Sequence, residues 1–257
     1  MKAMILAAGL GTRLRPLSHK IPKPMIPVLG IPIIRHTLNL LKSAGITEVI
    51  INLHHLPGDL KAYLEKQKDF KILFSMEKRL LGTGGGILKA KPFFGNERFF
   101  VLNSDFLSDV KLEDALSFHL EKKALATLVI KTPASSSRYD YVSLNKDHRI
   151  VQFRATEIKP PLIKGIFTGI HILEPDIFAF FPKGKKIFCI VRDVYMNLPK
   201  IEFPIFGYPF KGAWHDLGSL DLYLKFHLKK LRAKEKDQFK KTLLKLCPGL
   251  IFPRITG

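Results

Sequence analysis

The chain has 257 residues, 46% of them hydrophobic, which is enough for one large domain with a sizeable core. Its 42 Lys and Arg residues against 22 Asp and Glu residues give a formal charge of +20, which favours anionic partners such as nucleotides, sugar phosphates, RNA or an acidic membrane surface. No uncharged apolar run reaches the roughly 18 residues of a membrane-spanning helix, and no signal region precedes the first strand, so we expect a cytoplasmic protein without membrane insertion.

The first half of the chain alternates strands with helices. Continuous apolar runs predict strands at residues 2–7, 49–53, 70–75, 98–103 and 126–130. Helical spacing predicts helices from Pro32 to Gly45, at 57–66 and at 112–121. This alternation predicts right-handed crossovers in a doubly wound, mostly parallel α/β sheet flanked by helices. Ligands bind such a sheet across the carboxyl ends of its strands.

From about residue 133 the pattern changes to shorter strands. A hairpin is predicted from residues 142–144 and 150–153, and further strands at 166–173, 203–208 and 211–217. Helices are predicted after Pro175, at 191–198 and, as one long amphipathic element, at 220–236. We therefore predict one domain over 1–245, divided into a first half at 1–132, a smaller β-rich lobe at 133–218 and a C-terminal helix at 219–240, with an irregular tail at 246–257.

Two glycines follow the first strand, one residue apart. Gly9 and Gly11 can adopt positive φ without a clashing Cβ, so successive backbone N–H groups can converge on phosphate oxygens. Arg13 adds a planar guanidinium and Lys23 an ammonium group. The spacing excludes the dinucleotide fingerprint, which needs glycine where Leu14 stands, and also the P-loop. The sequence therefore predicts a phosphate-binding loop of another kind.

Residues 6–16, together with Pro-Lys-Pro-Met at 22–25, resemble the opening of the sugar-phosphate nucleotidyltransferases, also called NDP-sugar pyrophosphorylases. The resemblance implies a Rossmann-like mixed sheet in which the first half binds a nucleoside triphosphate (NTP) and the β-rich lobe binds a sugar phosphate. It implies that Arg13 and Lys23 are catalytic contacts to the triphosphate. The nucleotide-binding residues that it implies in this loop are Leu6, Ala8, Gly9, Gly11, Thr12, Arg13 and Lys23.

Four glycines lie among residues 82–86, at the predicted start of a helix, where free backbone N–H groups are available. From the pattern alone, a flexible turn is the more common outcome. The string Leu-Gly-Thr-Gly-Gly-Gly, however, resembles the family segment that recognises the nucleobase. The resemblance therefore implies nucleotide-binding roles for Gly82, Thr83 and Gly84.

Two aspartates are candidates for metal binding. Asp105 follows the strand at 98–103, and Asp216 lies in Trp-His-Asp-Leu-Gly-Ser at 214–219, which resembles the family element that supplies a second metal-binding carboxylate. The resemblance implies that Asp105 and Asp216 hold one Mg²⁺ together with phosphate oxygens and water, which is how this ion prefers to be bound. We expect Asp109 and Asp221 to act as caps or to be solvated. We expect His215 to pack against other side chains rather than to act as a base.

The signals for the sugar side are weaker. Residues 167–175 resemble the segment that lines the sugar site, in which Gly169 would allow a close approach. Residues 157–160 are similar to the family's Glu-Lys-Pro but carry one inserted residue, which leaves open whether Lys159 or Lys164 reaches the sugar phosphate. Asp140 stands where the family typically has glycine, so it would intrude on the sugar pocket or form a new hydrogen bond to the sugar.

The implied reaction is in-line attack of a sugar 1-phosphate on the α-phosphorus of an NTP, assisted by Mg²⁺, to give an NDP-sugar and pyrophosphate. The compact size resembles three short members of the family, of which mannose-1-phosphate guanylyltransferase is slightly preferred. Three alternatives stay open. They are a heptose-phosphate guanylyltransferase, a uridylyltransferase for N-acetylmuramate 1-phosphate or another sugar phosphate, and an enzyme that transfers the nucleotidyl group to phosphocholine.

Two other classes of function also stay open. One is a non-catalytic regulatory homologue that binds an NDP-sugar, and the other is an RNA- or membrane-binding protein that uses its charge. A nucleic-acid partner is not expected, because the stacking aromatic pattern of an RNA module is missing. The sequence does not decide whether copies of the chain associate into a homo-oligomer.

Overall fold

The structure is a computed structural model that describes residues 1–132, 138–155, 158–201, 203–247 and 250. Within these ranges the strands are β1 (Lys2–Leu6), β2 (Pro27–Val28), β3 (Ile31–Pro32), β4 (Glu48–Leu53), β5 (Lys71–Met76), β6 (Phe99–Asn103), β7 (Phe106–Ser108), β8 (Ala126–Lys131), β9 (Tyr141–Leu144), β10 (Ile150–Ala155), β11 (Ile163–Leu173), β12 (Ile205–Phe210) and β13 (Trp214–Asp216). The α-helices are α1 (Ile33–Ser43), α2 (Pro57–Glu65), α3 (Gly82–Lys89), α4 (Lys91–Phe94), α5 (Leu112–Glu121), α6 (Leu220–Lys230) and α7 (Ala233–Leu246).

A mixed, mostly parallel sheet organises the described ranges, and its main path runs β10-β9-β11-β6-β1-β4-β5. Strand β1 is parallel to β4 and β6, and β4 is parallel to β5. Strand β11 is antiparallel to β6, β8 and β9, while β12 runs parallel to β8. The predicted α/β fold is confirmed. The division near residue 133 falls among residues 133–137, which lie outside the described ranges, as does Glu157.

Strand β1 is buried on both faces, as its continuous apolar run predicts. Ala3 and Ile5 face one core, which α1 covers with Ile34 and neighbouring side chains. Met4 faces the opposite core, which includes Ile87 of α3. Each large aliphatic side chain buried in this way contributes about 1.5–3 kcal/mol to the free energy of folding.

The C-terminal helical segment differs from its prediction. The helix expected over 220–236 is two helices, because Leu231 and Arg232 adopt extended backbone between α6 and α7. Helix α7 continues to Leu246, and the residues of the predicted tail at 248–249 and 251–257 lie outside the described ranges. None of the helices found in the described ranges combines the length and the apolar character that a bilayer crossing needs.

The sheet register places several loops at one edge. Leu6 at the end of β1 is level with Asn52 of β4 and with Asn103 of β6, and Asn52 is level with Ser75 of β5. The loops that follow these four strands therefore leave the sheet together. This edge carries the predicted phosphate loop, the glycine-rich helix α3 and Asp105.

Candidate active site

The loop after β1 folds tightly around Gly11. Gly11 has a φ of +64°, and a Cβ at this position would lie 3.0 Å from Ser18 Cβ and 3.1 Å from Lys23 Cβ, so glycine suits both the backbone and the space. Ser18 Oγ donates a hydrogen bond of 2.8 Å to the Gly11 carbonyl oxygen. The next residues form a short 3-10 helix, Thr12–Leu14, which carries the exposed Arg13. Gly9 has open space around it and does not adopt a positive φ.

A two-stranded ribbon brings the two predicted metal-binding aspartates together. Strand β13 pairs with β7 so that Asp216 lies opposite Phe106, and the Leu217 N–H donates to the Asp105 carbonyl oxygen at 2.8 Å. Main-chain pairing therefore holds Asp216 beside the end of β6, where Asp105 lies.

Both carboxylates and Arg13 converge on the backbone of Gly218. A Cβ added to Gly218 would lie 2.6 Å from Asp105 Oδ2, 2.9 Å from Asp216 Oδ1 and 3.1 Å from Arg13 Nη2. Glycine leaves this position open, so two negative groups and one positive group face the same small volume. The arrangement is suited to phosphate groups bound together with a cation.

Each carboxylate is also held by a neighbour. Lys23 Nζ donates to Asp105 Oδ2 in a half-buried ion pair. The Gly218 N–H donates to Asp216 Oδ1 at 2.7 Å, and the Tyr139 hydroxyl donates to Asp216 Oδ2 at 3.0 Å. Burial, followed by the Asp216 charge and hydrogen bond, raises the pKa of Tyr139 far above its ordinary value. Tyr139 therefore stays protonated and acts as a donor.

The donor set fits Mg²⁺ better than zinc. Among the described residues, no three His, Cys, Asp or Glu side chains are grouped so that they could hold a metal ion. Two carboxylates suffice for Mg²⁺, which usually keeps several waters and takes further oxygens from substrate phosphates. A closed tetrahedral zinc site needs four protein ligands. Asp105 and Asp216 therefore fit a phosphate-associated Mg²⁺.

A cavity of about 300 Å³ lies along the carboxyl ends of β1, β4 and β6. We call it the nucleotide cavity, after the predicted nucleotide-binding residues in its walls, and it joins the phosphate loop to the start of α3. The predicted residues that line it are Leu6, Ala8, Gly9, Lys23, Gly82, Thr83 and Asp105. Four other predicted nucleotide-binding residues do not line it, namely Gly11, Thr12, Arg13 and Gly84.

The glycine run of α3 packs against a later segment of the chain. A Cβ on Gly82 would lie 2.5 Å from the Phe188 carbonyl oxygen, and one on Gly84 would lie 2.3 Å from the Phe188 ring. The Gly84 N–H donates to Phe188 O at 3.0 Å, and Thr83 Oγ1 accepts from the Ile190 N–H at 3.0 Å. Glycine is therefore needed here for close packing. Contact of Gly84 with a nucleobase stays a prediction.

Two buried polar residues in the nucleotide cavity were not singled out from the sequence. Asn52 Oδ1 accepts from the Ala7 N–H at 2.7 Å, and Asn52 Nδ2 donates to Glu77 Oε1 at 2.8 Å. Glu77 Oε2 accepts from the Leu81 N–H at 3.0 Å. This chain of bonds ties the phosphate loop to α3. The available signal was a polar residue at the end of each of two apolar strands.

Asp140 and Lys164, which are predicted to bind the sugar phosphate, have separate neighbours. Asp140 pairs with Arg154 at 3.0 Å, and both side chains are exposed. Lys164 Nζ lies 3.6 Å from the centre of the Tyr141 ring. Lys159 lies in the turn before β11, where its carbonyl oxygen accepts from the Leu162 N–H. Their contact with a sugar phosphate stays a prediction.

Gly169 allows a close approach, and in this structure the approaching group is Asn103. Gly169 has a φ of +87°, and a Cβ there would lie 2.5 Å from Asn103 Nδ2. This contact fastens β11 to the end of β6, next to the nucleotide cavity. A sugar contact of Gly169 stays a prediction.

The neighbouring polar residues have packing and capping contacts. His215 packs 5.0 Å from the Phe226 ring, and burial, with a contribution from Lys230 and Lys229, lowers the pKa of His215. Asp109 Oδ1 accepts from the Ala213 N–H at 2.8 Å. None of these contacts gives His215 the role of a base.

Residues 2–233 match the sequence model of the family described as nucleotidyl transferase. The chain belongs to the nucleotidyl transferase family. It is 34% identical over 239 residues to a UTP–glucose-1-phosphate uridylyltransferase of Synechocystis, a match that covers 87% of this chain and 61% of the relative. It is 31% identical over 220 residues to a mannose-1-phosphate guanylyltransferase of Mycobacterium tuberculosis, covering 84% and 61%. The chain thus spans about three fifths of the length of these two relatives.

The crystal structure of a nucleotide complex is similar over most of this nucleotidyl transferase. HddC from Yersinia pseudotuberculosis, complexed with GMP-PN, superposes with a TM-score of 0.74 at 25% identity. The superposition covers 89% of this chain and 98% of HddC. The family resemblance and the Rossmann-like fold expected from the sequence are both confirmed.

Proposed function

We propose that this chain transfers a nucleotidyl group from an NTP to a sugar 1-phosphate, forming an NDP-sugar and releasing pyrophosphate. The observation that carries the proposal is the convergence of Asp105, Asp216 and Arg13 on Gly218, beside Lys23. The two relatives, one a glucose-1-phosphate uridylyltransferase and one a mannose-1-phosphate guanylyltransferase, support the same reaction class.

The reaction needs positioning and charge neutralisation more than it needs a base. The nucleophile is a phosphate oxygen of the sugar 1-phosphate, which is already deprotonated at neutral pH. It attacks the α-phosphorus in line, a new P–O bond forms, and the bond to pyrophosphate breaks. An enzyme accelerates such a step by holding the two phosphates in line and by placing positive charge where negative charge develops.

The chain supplies these positive groups from its first loop. Arg13 is exposed beside Gly218, so its guanidinium can bind phosphate oxygens through two parallel hydrogen bonds. Lys23 lines the nucleotide cavity and adds a point charge next to Asp105. We assign to these two residues the stabilisation of the negative charge that develops on the leaving pyrophosphate.

Asp105 and Asp216 are the residues that would hold Mg²⁺. When bound, the ion would neutralise phosphate charge and orient phosphate oxygens. Tyr139 and the Gly218 N–H position Asp216, and Lys23 positions Asp105.

We assign the nucleoside to the nucleotide cavity, between Leu6, Gly82 and Thr83. Asn52 and Glu77 line the same cavity and hold its two ends together. We propose Asp140, Lys159, Lys164 and Gly169 as the candidate contacts to the sugar phosphate.

The base and the sugar are the finer part of the proposal. We retain mannose 1-phosphate with GTP as the first pair to test, which the guanylyltransferase relative supports. The uridylyltransferase relative makes glucose 1-phosphate with UTP the second pair. N-acetylmuramate 1-phosphate with UTP is the third.

The test is a matrix of pyrophosphate release in which four NTPs are combined with these sugar 1-phosphates, with Mg²⁺ and with a chelator. We expect release only when an NTP, a sugar 1-phosphate and Mg²⁺ are all present, with one pair clearly preferred. Release without a sugar phosphate would contradict the in-line transfer. NDP-sugar binding without release for any pair would instead favour a regulatory homologue.

A further inference from the structure

A second cavity, of about 510 Å³, is lined by the later residues of α3, whereas Gly82 and Thr83 at the start of α3 line the nucleotide cavity. We call it the outer cavity. Its walls come from the end of β5, from residues 78–79, from α3 and from Lys186, and they include the apolar side chains of Met76, Leu81 and Leu88. This volume is in the range of pockets that bind small molecules.

Four cationic side chains surround the outer cavity, namely those of Lys78, Arg79, Lys89 and Lys186. Within the described part of the chain none of the four has a carboxylate partner, although Lys89 Nζ donates to the Met76 carbonyl oxygen. Glu77 is the acid in the wall, and its two oxygens are already bonded to Asn52 and to the Leu81 N–H. The cavity therefore combines apolar walls with a net positive charge, since four cations stand against the single Glu77 carboxylate.

The outer cavity shares its packing with the nucleotide cavity. The Phe188 N–H donates to the Leu81 carbonyl oxygen at 3.0 Å, and the Lys186 carbonyl oxygen lies so close to Gly85 that a Cβ there would be 2.3 Å away. The segment at 186–188 is thus locked against α3, whose first residues line the nucleotide cavity. A ligand that displaces the segment at 186–188 would therefore also disturb its contacts with the first residues of α3.

We propose that the outer cavity binds a second phosphorylated ligand with an aromatic or apolar body, a nucleotide, and that its occupancy changes the affinity of the nucleotide cavity. Phosphate oxygens would bind the four cations, and the flat ring would pack against Met76, Leu81 and Leu88. Coupling between two binding sites is reciprocal, so each nucleotide changes the affinity of the other. The coupling rests on the proposed function, because it assumes a nucleotide in the first cavity.

The test counts nucleotide sites by equilibrium dialysis of the full chain against GTP and, separately, UTP. We expect two sites per chain for at least one nucleotide. In the double variant Arg79→Gln/Lys186→Gln the second site should bind about tenfold more weakly. The matched control Lys111→Gln/Lys146→Gln changes two exposed lysines outside both cavities and should keep both sites. One site in the wild type, or two unchanged sites in the cavity variant, would overturn the proposal.

Two further readouts separate the parts of the proposal. Tripolyphosphate should compete weakly for the second site, and competition as strong as that of the nucleotide would overturn the role of the apolar wall. The KM for the NTP in pyrophosphate release should shift at least threefold in the cavity variant but not in the control, and an unchanged KM would overturn the coupling. Normal pyrophosphate release with a single nucleotide site would refute this inference alone, whereas two sites without any release would refute the proposed reaction alone.

Discussion

The residues proposed to bind the nucleotide and those proposed to bind the sugar phosphate are held in different ways. On the nucleotide side, strand register and a two-stranded ribbon place Asp105 and Asp216, and a tight loop places Arg13. On the sugar side, Asp140 and Lys164 are exposed, with side-chain partners in Arg154 and Tyr141. Backbone pairing fixes the residues that are proposed to bind the metal ion and the phosphates. The side-chain pairs of the other group can change without disturbing the sheet. We infer that changes in the side chains proposed to bind the sugar phosphate are what alter the selectivity for the sugar.

The largest expected effect comes from removing a carboxylate of the nucleotide side. Asp105→Ala or Asp216→Ala should lower kcat for pyrophosphate release by about 10²- to 10³-fold, because the cation and the phosphates lose a fixed ligand. Release rates at saturating substrates measure this loss. The control is Asp147→Asn, in the exposed turn between β9 and β10, which should keep full activity. Wild-type activity in Asp105→Ala would contradict the assignment of Asp105 as a metal ligand.

A smaller effect is expected from Glu77→Gln, which weakens the link between the phosphate loop and α3. Glutamine offers one carbonyl oxygen, so either the Asn52 amide or the Leu81 N–H loses its acceptor, at a cost of about 1–3 kcal/mol. We expect about a tenfold rise in the KM for the NTP and little change in the KM for the sugar phosphate. The exposed Glu113→Gln is the control, and a rise confined to the sugar phosphate would contradict the assignment.

Strand β11 joins the two sides, and its buried His171 predicts a pH dependence of stability. Burial lowers the pKa of His171 to about 3, and its Nδ1 lies 2.7 Å from the Tyr195 hydroxyl. In the unfolded chain the pKa is about 6.5, so the unfolded state binds more protons between these values. The contribution of neutral His171 to the free energy of unfolding is therefore fully present above about pH 6.5. It falls as the pH drops towards 3, by up to about 1.4 kcal/mol per pH unit.

Urea unfolding between pH 4 and 7 measures this dependence. Burial also lowers the pKa values of His119 and His227, so the comparison must be made against a variant of His171 itself. His171→Gln should flatten the dependence of the free energy of unfolding on pH. An equal slope in the wild type and the variant would show that His171 does not contribute.

The smallest effect is expected from Asp140→Gly on the sugar side. The Asp140–Arg154 pair is exposed, and such pairs contribute about 0–1 kcal/mol to stability. We expect a stability change within that range and a change of a few fold in the KM for the sugar phosphate, with kcat retained. A loss of kcat as large as that of Asp105→Ala would place Asp140 in the reaction centre and remove the contrast between the two sides.

Much of the fold followed from the sequence because apolar runs and helical spacing directly reflect burial. Helix α5 has its predicted bounds, and the strands of the parallel sheet lie within a residue or two of theirs. The break between α6 and α7 could not be predicted, since Leu231 and Arg232 are good helix formers and neither glycine nor proline interrupts the segment. At the break the Arg232 N–H donates to Glu235 Oε2 at 2.8 Å, which caps the start of α7.

The cationic glycine loop indicated phosphate from its residues alone, whereas the metal-binding role of Asp105 and Asp216 came from the family resemblance, because a lone aspartate after a strand is more often a cap. The structure brings Asp105, Asp216 and Arg13 together. The Asn52–Glu77 link depends on the alignment of two strands, which single positions do not reveal. Likewise, the contact of Gly84 with Phe188 joins segments far apart in the chain.

The most direct test of the central claim is Gly218→Ala. The added methyl group would lie 2.6 Å from Asp105 Oδ2 and 2.9 Å from Asp216 Oδ1, so the two carboxylates could not keep their positions. We predict that kcat for pyrophosphate release falls at least tenfold while the protein stays folded, and that Gly58→Ala, where a Cβ meets nothing within 4 Å, keeps wild-type activity. Wild-type kcat in Gly218→Ala would contradict the claim that this point is the centre of the reaction.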